Sequence, residues 1–503
     1  MLTVVGRGSR AQARTHRVVG QFLAIGAAAA LSLLWMPVGA AAGTPSDWPQ
    51  FRHDSANTGY NPGETTISAS NVARLGLAWT AQTGSTEALS PVVANGVVYV
   101  AGLRGPEGWL FAYAASCGDA GSICMPLWKA TDGGPGGAPA VANGVVYATA
   151  PEPFGIVAYA VGCADHGGVC SPLWKGNRPV GSQLSNGTSP VIANGVVYIG
   201  TGRNSVNAYS SRYETEFCGP IWTIPGDRWA DEAGASFPVV SPAVDEGVIY
   251  SGLEDGDVLA FGSGCLGAGT CAPLWRAFTS ELSSQIASAS GVVYVRLSNG
   301  GLYAYTVGCA SGGELCKPLW TAFADSPGYT GNTSSPAVAN GVVYVGSTDG
   351  NLYAYSTGCA SGGRTCTPLW TAQTGGSIES SPAVANGVVY ISSDDGYLYA
   401  YAVGCASGGG TCEPLWKAFV RDHIIGQTVL SSPVVANGAV YVGSYSGGLY
   451  AFSLDGTTPP ATSTATPLPL TEPGGPTWTL AFGLAAFLVG TFVTLRRRQR
   501  QTG

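Results

Sequence analysis

Between Ser90 and Ser444 one pattern of apolar and turn residues returns eight times. It reads SPVVANGVVYVAG from Ser90, APAVANGVVYATA from Ala138, SPVIANGVVYIGT from Ser189 and SPAVDEGVIYSGL from Ser241. IASASGVVYVRLS from Ile286, SPAVANGVVYVGS from Ser335, SPAVANGVVYISS from Ser381 and SPVVANGAVYVGS from Ser432 complete the set, at a period close to 48. In each copy a short apolar run meets a tight turn, Asn-Gly in six of the eight, and continues as Val-Val-Tyr or a close variant. Asn-Gly tolerates the left-handed backbone that a two-residue type I′ turn needs at both positions, so the copy predicts a β-hairpin. A second turn, such as Asp349-Gly350 or Asp395-Gly396, leads to a third strand, Leu352-Tyr353-Ala354-Tyr355 or Leu398-Tyr399-Ala400-Tyr401. A fourth follows, of the form Pro-Leu-Trp-x-Ala.

Four short antiparallel strands per repeat of this length predict an all-β chain folded as an eight-bladed β-propeller. Trp128, Trp174, Trp222, Trp275, Trp320, Trp370 and Trp416 end units one to seven, whereas unit eight stops at Tyr450-Ala451-Phe452. The strand it lacks stands ahead of unit one as Leu77-Ala78-Trp79-Thr80-Ala81. The offset predicts that the Trp79 strand completes the last blade and closes the ring, leaving no half-blade edge. The expected boundaries are a signal peptide over 1–42, a lead-in over 43–76, the propeller over 77–455, a stalk over 456–477, a membrane helix over 478–495 and a basic tail over 496–503.

Composition agrees with buried sheets: 74 Gly and only 11% charged residues among 503, against roughly 25% charged in an ordinary domain. A net charge of −7 without an internal basic block argues against a nucleic-acid surface. The charges that remain mark the ends. Arg7, Arg10, Arg14 and Arg17 precede the apolar run from Val18 to Trp35 and the small residues up to Ala42, the form of a secretory signal; an uncleaved N-terminal anchor is the alternative. Thr457 to Thr477 is rich in Pro and Thr, and Trp478 to Leu495 is long enough to cross a bilayer before Arg496-Arg497-Arg498. The folded part is therefore expected outside the cell, tethered to the membrane. Leu468, Pro469, Leu470 and Thr471 resemble the LPxTG signal of sortase-anchored surface proteins, with Glu472 in place of the Gly at the cleaved bond.

Twelve of the 13 Cys pair by position in the loop before each Trp strand: Cys117 with Cys124, Cys163 with Cys170, Cys265 with Cys271, Cys309 with Cys316, Cys359 with Cys366 and Cys405 with Cys412. Flanks of a hairpin loop bring two Cβ atoms within bridging distance, which favours disulfides. Metal binding is the rival reading, but no Cys-x-x-Cys pair or His cluster accompanies these sites. Unit three keeps only Cys218, expected as a free thiol or a bridge between chains.

The repeat, with Gly-x-Leu-Tyr-Ala and a Trp strand in each blade, resembles the pyrroloquinoline quinone (PQQ) type propellers of quinoprotein dehydrogenases and their non-enzymatic relatives. Asp47-Trp48-Pro49-Gln50-Phe51-Arg52-His53-Asp54, with Asn57-Thr58-Gly59-Tyr60, resembles that family's lead-in. The resemblance implies, for an enzyme, PQQ and calcium over the central channel beside a vicinal Cys-Cys pair, and this chain has no adjacent cysteines. It also lacks Cys-x-x-Cys-His, so covalent haem is excluded.

Variation between repeats concentrates in the loops that follow the Trp strands. Two stand out: one carries Asp227, Arg228, Trp229, Asp231 and Glu232, the other Arg421, Asp422 and His423. They lie half a ring apart and are candidate binding residues, with Trp229 as an aromatic anchor; plain solvated loop charge is the alternative. No catalytic constellation or metal motif is recognisable. The expected function is a monomeric, exported, non-catalytic binding or scaffolding propeller for an extracellular protein or envelope component, needing no cofactor. A PQQ-dependent oxidoreductase and a glycan-binding module are the alternatives.

Overall fold

The computed structural model describes residues 46–457 apart from 105–106, 119–120, 133–135, 151–152, 165, 178–187, 202–204, 213–216, 225–239, 253–255, 266–271, 280–284, 298, 310–313, 325–332, 360–362, 407 and 421–430. The signal segment, stalk, apolar C-terminal segment and Leu468–Thr471 motif lie outside the described residues, as does the whole of a second compact unit, 463–503. Among the described residues no helix is long and apolar enough to cross a membrane.

Eight sheets make an eight-bladed β-propeller. The innermost strands, in blade order, are Val92–Ala94, Ala140–Ala142, Val191–Ala193, Ala243–Asp245, Ala287–Ala289, Ala337–Ala339, Ala383–Ala385 and Val434–Ala436. Each returns through a hairpin whose two central residues both have positive φ, 52° and 74° at Asn95 and Gly96. In the sheet that contains Val434–Ala436, the strand Gly448–Leu454 pairs antiparallel with Leu75–Gln82, with Trp79 opposite Ala451.

The Trp residues hold neighbouring blades together. Trp79, Trp128, Trp174, Trp275, Trp320 and Trp370 are no more than 1% exposed. The Trp128 ring lies 5.9 Å from Tyr99 in its own blade and 6.1 Å from Tyr159 in the next. Its indole N–H donates to the Val161 carbonyl at 2.9 Å, so the polar end is satisfied where the ring is buried. Trp79, Trp275, Trp320 and Trp370 repeat that bond to Ala115, Val307, Thr357 and Val403.

Among the described residues, six blades carry one strand more than the sequence predicts. In each, the loop before the next Trp strand sends two or three residues back to pair, in parallel, with the Trp strand of the preceding blade. Ser122–Cys124 pairs with Leu75–Gln82, and Gly410–Cys412 with Trp370–Gln373. Gly168–Val169, Phe217–Cys218, Glu314–Leu315 and Arg364–Cys366 do the same. Runs this short show no alternation, which is why the sequence does not reveal them.

Five of the expected cysteine pairs are disulfides: Cys117 with Cys124, Cys163 with Cys170, Cys309 with Cys316, Cys359 with Cys366 and Cys405 with Cys412, with Cα atoms 5.6–5.9 Å apart. The second cysteine is not placed alike in all five. Cys124, Cys366 and Cys412 end their covering strands, whereas Cys170 and Cys316 stand one residue beyond Gly168–Val169 and Glu314–Leu315. The two still join the neighbouring blade, because the Cys170 N–H donates to the Lys129 carbonyl at 2.8 Å and the Cys316 N–H to the Arg276 carbonyl at 2.7 Å. Cys271, and with it the Cys265 pairing, lies outside the described residues, as does the Cys218 side chain.

Candidate functional site

A propeller's ligand site is ordinarily its axis, so the inner edges of the eight innermost strands decide what this ring can hold. Each such edge presents backbone N–H and C=O groups that need partners if water is excluded. Here the partners come from the lead-in. Trp48 exchanges two 2.8 Å hydrogen bonds with Val93 of blade 1, and Val141 of blade 2 donates to the Pro49 carbonyl at 2.7 Å. Ile192 of blade 3 donates to Gln50 Oε1 at 2.9 Å. Val244 of blade 4 and Ser288 of blade 5 donate to the carbonyls of Ser55 and Ala56, at 2.6 and 2.8 Å. Val338 of blade 6 and Val384 of blade 7 donate to Thr58 and Gly59, both at 2.8 Å. Asn61 Nδ2 completes the circuit by donating to the Val435 carbonyl of blade 8 at 2.9 Å. One strand of chain, read from Trp48 to Asn61, thus meets the eight blades in order.

Such a tight circuit needs unusual backbone. Arg52, His53, Asn57 and Gly59 all have positive φ, 62°, 77°, 56° and 64°. Asp54 accepts the Thr58 N–H at 2.9 Å and the Thr58 hydroxyl, closing the turn between them. Asn57, fully buried, donates through Nδ2 to the carbonyls of Pro242 and Ile286, both at 3.1 Å. The Arg52 guanidinium donates to the carbonyls of Pro382, at 2.8 Å, and Pro336. Burial pushes its pKa down to about 9, with nearby Asp54 opposing; at neutral pH it is a cation fixed on the axis. At the hairpin end, Asp47 accepts from Asn437 Nδ2 at 2.9 Å and from the Asn95 N–H at 3.0 Å. Glu64 accepts the Gly438 N–H at 2.7 Å.

The other end of the innermost strands carries a belt of hydroxyls. The N–H of Ser381 donates to Ser432 Oγ at 2.9 Å, and that of Ser432 to Ser90 Oγ at 3.1 Å. Ser335 donates likewise to Ser381 Oγ, and Ser189 to Ser241 Oγ. Between belt and lead-in a cavity of about 10 Å³ remains, lined by Trp48, Phe51, Arg52, Ser90, Ser381 and Ser432 among others. That is room for about one water molecule, whereas a cofactor pocket has some hundreds of Å³.

A tricyclic quinone such as PQQ does not fit the axis at this level, because Trp48–Asn61 fill it. Among the described residues no group of three or more His, Cys, Asp or Glu is arranged to hold a metal ion. His53 packs edge-on against Trp48, ring centres 5.1 Å apart, so the one imidazole in the lead-in serves packing. The candidate binding residues Asp227, Arg228, Trp229, Asp231, Glu232, Arg421, Asp422 and His423 lie outside the described residues. Sequence reasoning recognised the lead-in and missed its position. Its signal was the cluster of residues that accept left-handed backbone, Asn57 and Gly59 above all, in a stretch with no strand period.

Solved structures share this fold. A quinohemoprotein alcohol dehydrogenase from Comamonas testosteroni is 18% identical, with a TM-score of 0.60 over 83% of this chain and 82% of its own. A europium-containing methanol dehydrogenase is 14% identical, with a TM-score of 0.57 over 82% and 98%. BamB from Moraxella catarrhalis is 14% identical, with a TM-score of 0.50 over 76% and 98%. No curated protein sequence matches the chain. A family model described as outer membrane protein assembly factor BamB matches residues 164–404 and 264–469, which together exceed half the chain. With its PQQ-type repeats and eight blades, the chain belongs to that family.

Proposed function

We propose that this chain is an exported, envelope-attached propeller that works as a non-catalytic binding or scaffolding platform. The observation that carries the reading is the occupied inner rim: residues 48–61 hydrogen-bond to every blade, and the cavity beside Arg52 has a volume of about 10 Å³. The description of the family as an assembly factor supports the same reading. The N-terminal arginines and apolar run, and the C-terminal apolar segment before Arg496-Arg497-Arg498, support export and retention at the membrane, or at the wall through Leu468–Thr471. The Leu75–Gln82 strand acts in this reading as the ring closure. A ring joined by its first strand keeps the lead-in, which precedes that strand, threaded on the axis. Binding then falls to the loops that follow the Trp strands, including Trp229 and Arg421.

The test is titration of the purified ectodomain with PQQ and calcium, followed by absorbance and dye-linked alcohol oxidation. The reading expects no saturable quinone band and no turnover. Stoichiometric PQQ binding with oxidation of an alcohol or sugar would replace it by the oxidoreductase reading. Capture of envelope fractions on immobilised ectodomain, with Trp229→Ala and Arg421→Ala in parallel, addresses the partner; undiminished capture by both variants would remove those loops from the site.

A further inference from the structure

The small cavity on the axis lies between the lead-in and three consecutive blades. Trp48, Phe51 and Arg52 line it from the lead-in, and Ser90, Ser381 and Ser432, which open the innermost segments of blades 1, 7 and 8, line it from the ring. Arg52 is 3% exposed. Its two Nη groups are engaged by the carbonyls of Pro336 and Pro382, and its Nε–H, also buried, has no protein acceptor. Neutral carbonyls do not cancel the charge. Asp54 is the carboxylate whose field reaches the guanidinium, but its oxygens are held by the Thr58 N–H and hydroxyl. No ion pair among the described residues includes Arg52. A buried cation without a counter-ion at hydrogen-bond distance is costly, which is why burial lowers its pKa to about 9.

The serines add donors to the same wall. Each hydroxyl oxygen already accepts a backbone N–H: Ser381 Oγ from Ser335, Ser432 Oγ from Ser381 and Ser90 Oγ from Ser432. Among the described residues none of these three hydroxyls donates to a protein acceptor. The cavity is thus faced by one guanidinium N–H and three hydroxyl protons. A water molecule matches such a wall poorly, because it has two protons of its own to place. A cation is repelled by Arg52, and a volume of about 10 Å³ rejects phosphate, sulfate and organic carboxylates. We propose that this cavity is a site for a monatomic anion, a halide such as chloride, held by Arg52 and the hydroxyls of Ser90, Ser381 and Ser432. The ion supplies the charge that the guanidinium lacks and ties the lead-in to blades 7, 8 and 1. It binds the threaded ring and not the unfolded chain, so it stabilises the fold as the site fills.

Two measurements on the full chain in detergent micelles test this. Crystals soaked in sodium bromide locate the ion by anomalous diffraction, and calorimetry follows Tm as chloride replaces gluconate at fixed ionic strength. The expected results are a bromide peak in the cavity beside Arg52 and a Tm gain that saturates below about 0.15 M chloride. Ser381→Ala with Ser432→Ala should raise the half-saturating chloride concentration about tenfold, since each removed hydroxyl donates to a charged group. Arg52→Gln should abolish both the peak and the chloride-dependent gain. A water alone in the cavity, or a Tm that follows ionic strength and not chloride, overturns the proposal. A bromide peak without a saturable Tm gain means binding at crystal concentration only, and overturns it too. If Arg52→Gln does not fold, the serine variant decides, and an unchanged half-saturation there refutes the site.

Discussion

Replacing Asn57 by Ala isolates the bond between lead-in and ring at one residue. The side chain is fully buried and its amide reaches two carbonyls, in the segments that enter blades 4 and 5. Losing two such bonds costs about 2 kcal/mol, and placing Ala at a φ of 56° adds about 1–2 kcal/mol. The sum is about 3–4 kcal/mol, which in a domain near 400 residues lowers Tm by about 4–5 °C. Asn57→Gly keeps the backbone freedom and should lose about 2 °C by the same conversion. Asn143→Ala, in an exposed hairpin turn with φ 52°, carries only the backbone cost and is the reference. Differential scanning calorimetry of the ectodomain reads all three. If Asn57→Ala and Asn143→Ala melt together, the lead-in contributes nothing at this point and the reasoning fails.

Gly59→Ala should destabilise as well, since φ is 64° and a Cβ would lie 2.7 Å from Arg52 Nη2; a melting temperature within about 1 °C of the parent would show that Arg52 yields without cost. Cys359→Ser with Cys366→Ser opens a loop of about eight residues worth about 2.5 kcal/mol in the chain-entropy model; faster proteolysis within residues 356–370 is the expected signature, and unchanged cleavage speaks against the staple. Titration of the denatured, unreduced chain should find one free thiol, Cys218, and two more would mean that Cys265 and Cys271 are unpaired. Asp394 is raised to about 6 by burial and by Glu379 and Asp395, so the folded state prefers its neutral form. Its ionisation erodes stability as pH rises from the unfolded value near 4 through 6. Asp394→Asn should therefore raise Tm at about pH 7.5 and leave it unchanged at about pH 4; the reverse order would refute the sign.

Much of the ring was legible because its signals are local. Asn340-Gly341 and its seven counterparts fix a hairpin through the backbone of two residues, and Trp370 or Trp416 marks a strand by its position after Pro-Leu. The lead-in was not legible for the opposite reason. Tyr60 pairs with Val384, more than 300 residues away, and Asn57 is held by carbonyls that no local pattern announces. The covering strands fall between these cases: Arg364-Thr365-Cys366 is readable as half of a disulfide loop, while its pairing with Trp320–Phe323 depends on how closely two blades approach. The loop residues chosen as binding candidates, Trp229 and His423 among them, lie outside the described residues, so their choice still rests on departure from the repeat.

The filled axis is tested most directly by hydrogen exchange at the inner-edge amides of Val93, Val141, Val244, Ser288, Val338 and Val384, all of which donate to the lead-in. These amides should exchange as slowly as those in the middle of each blade, and together become fast in a chain lacking residues 46–61. Fast exchange at these positions in the intact protein would mean an open, water-filled channel, and would contradict the account.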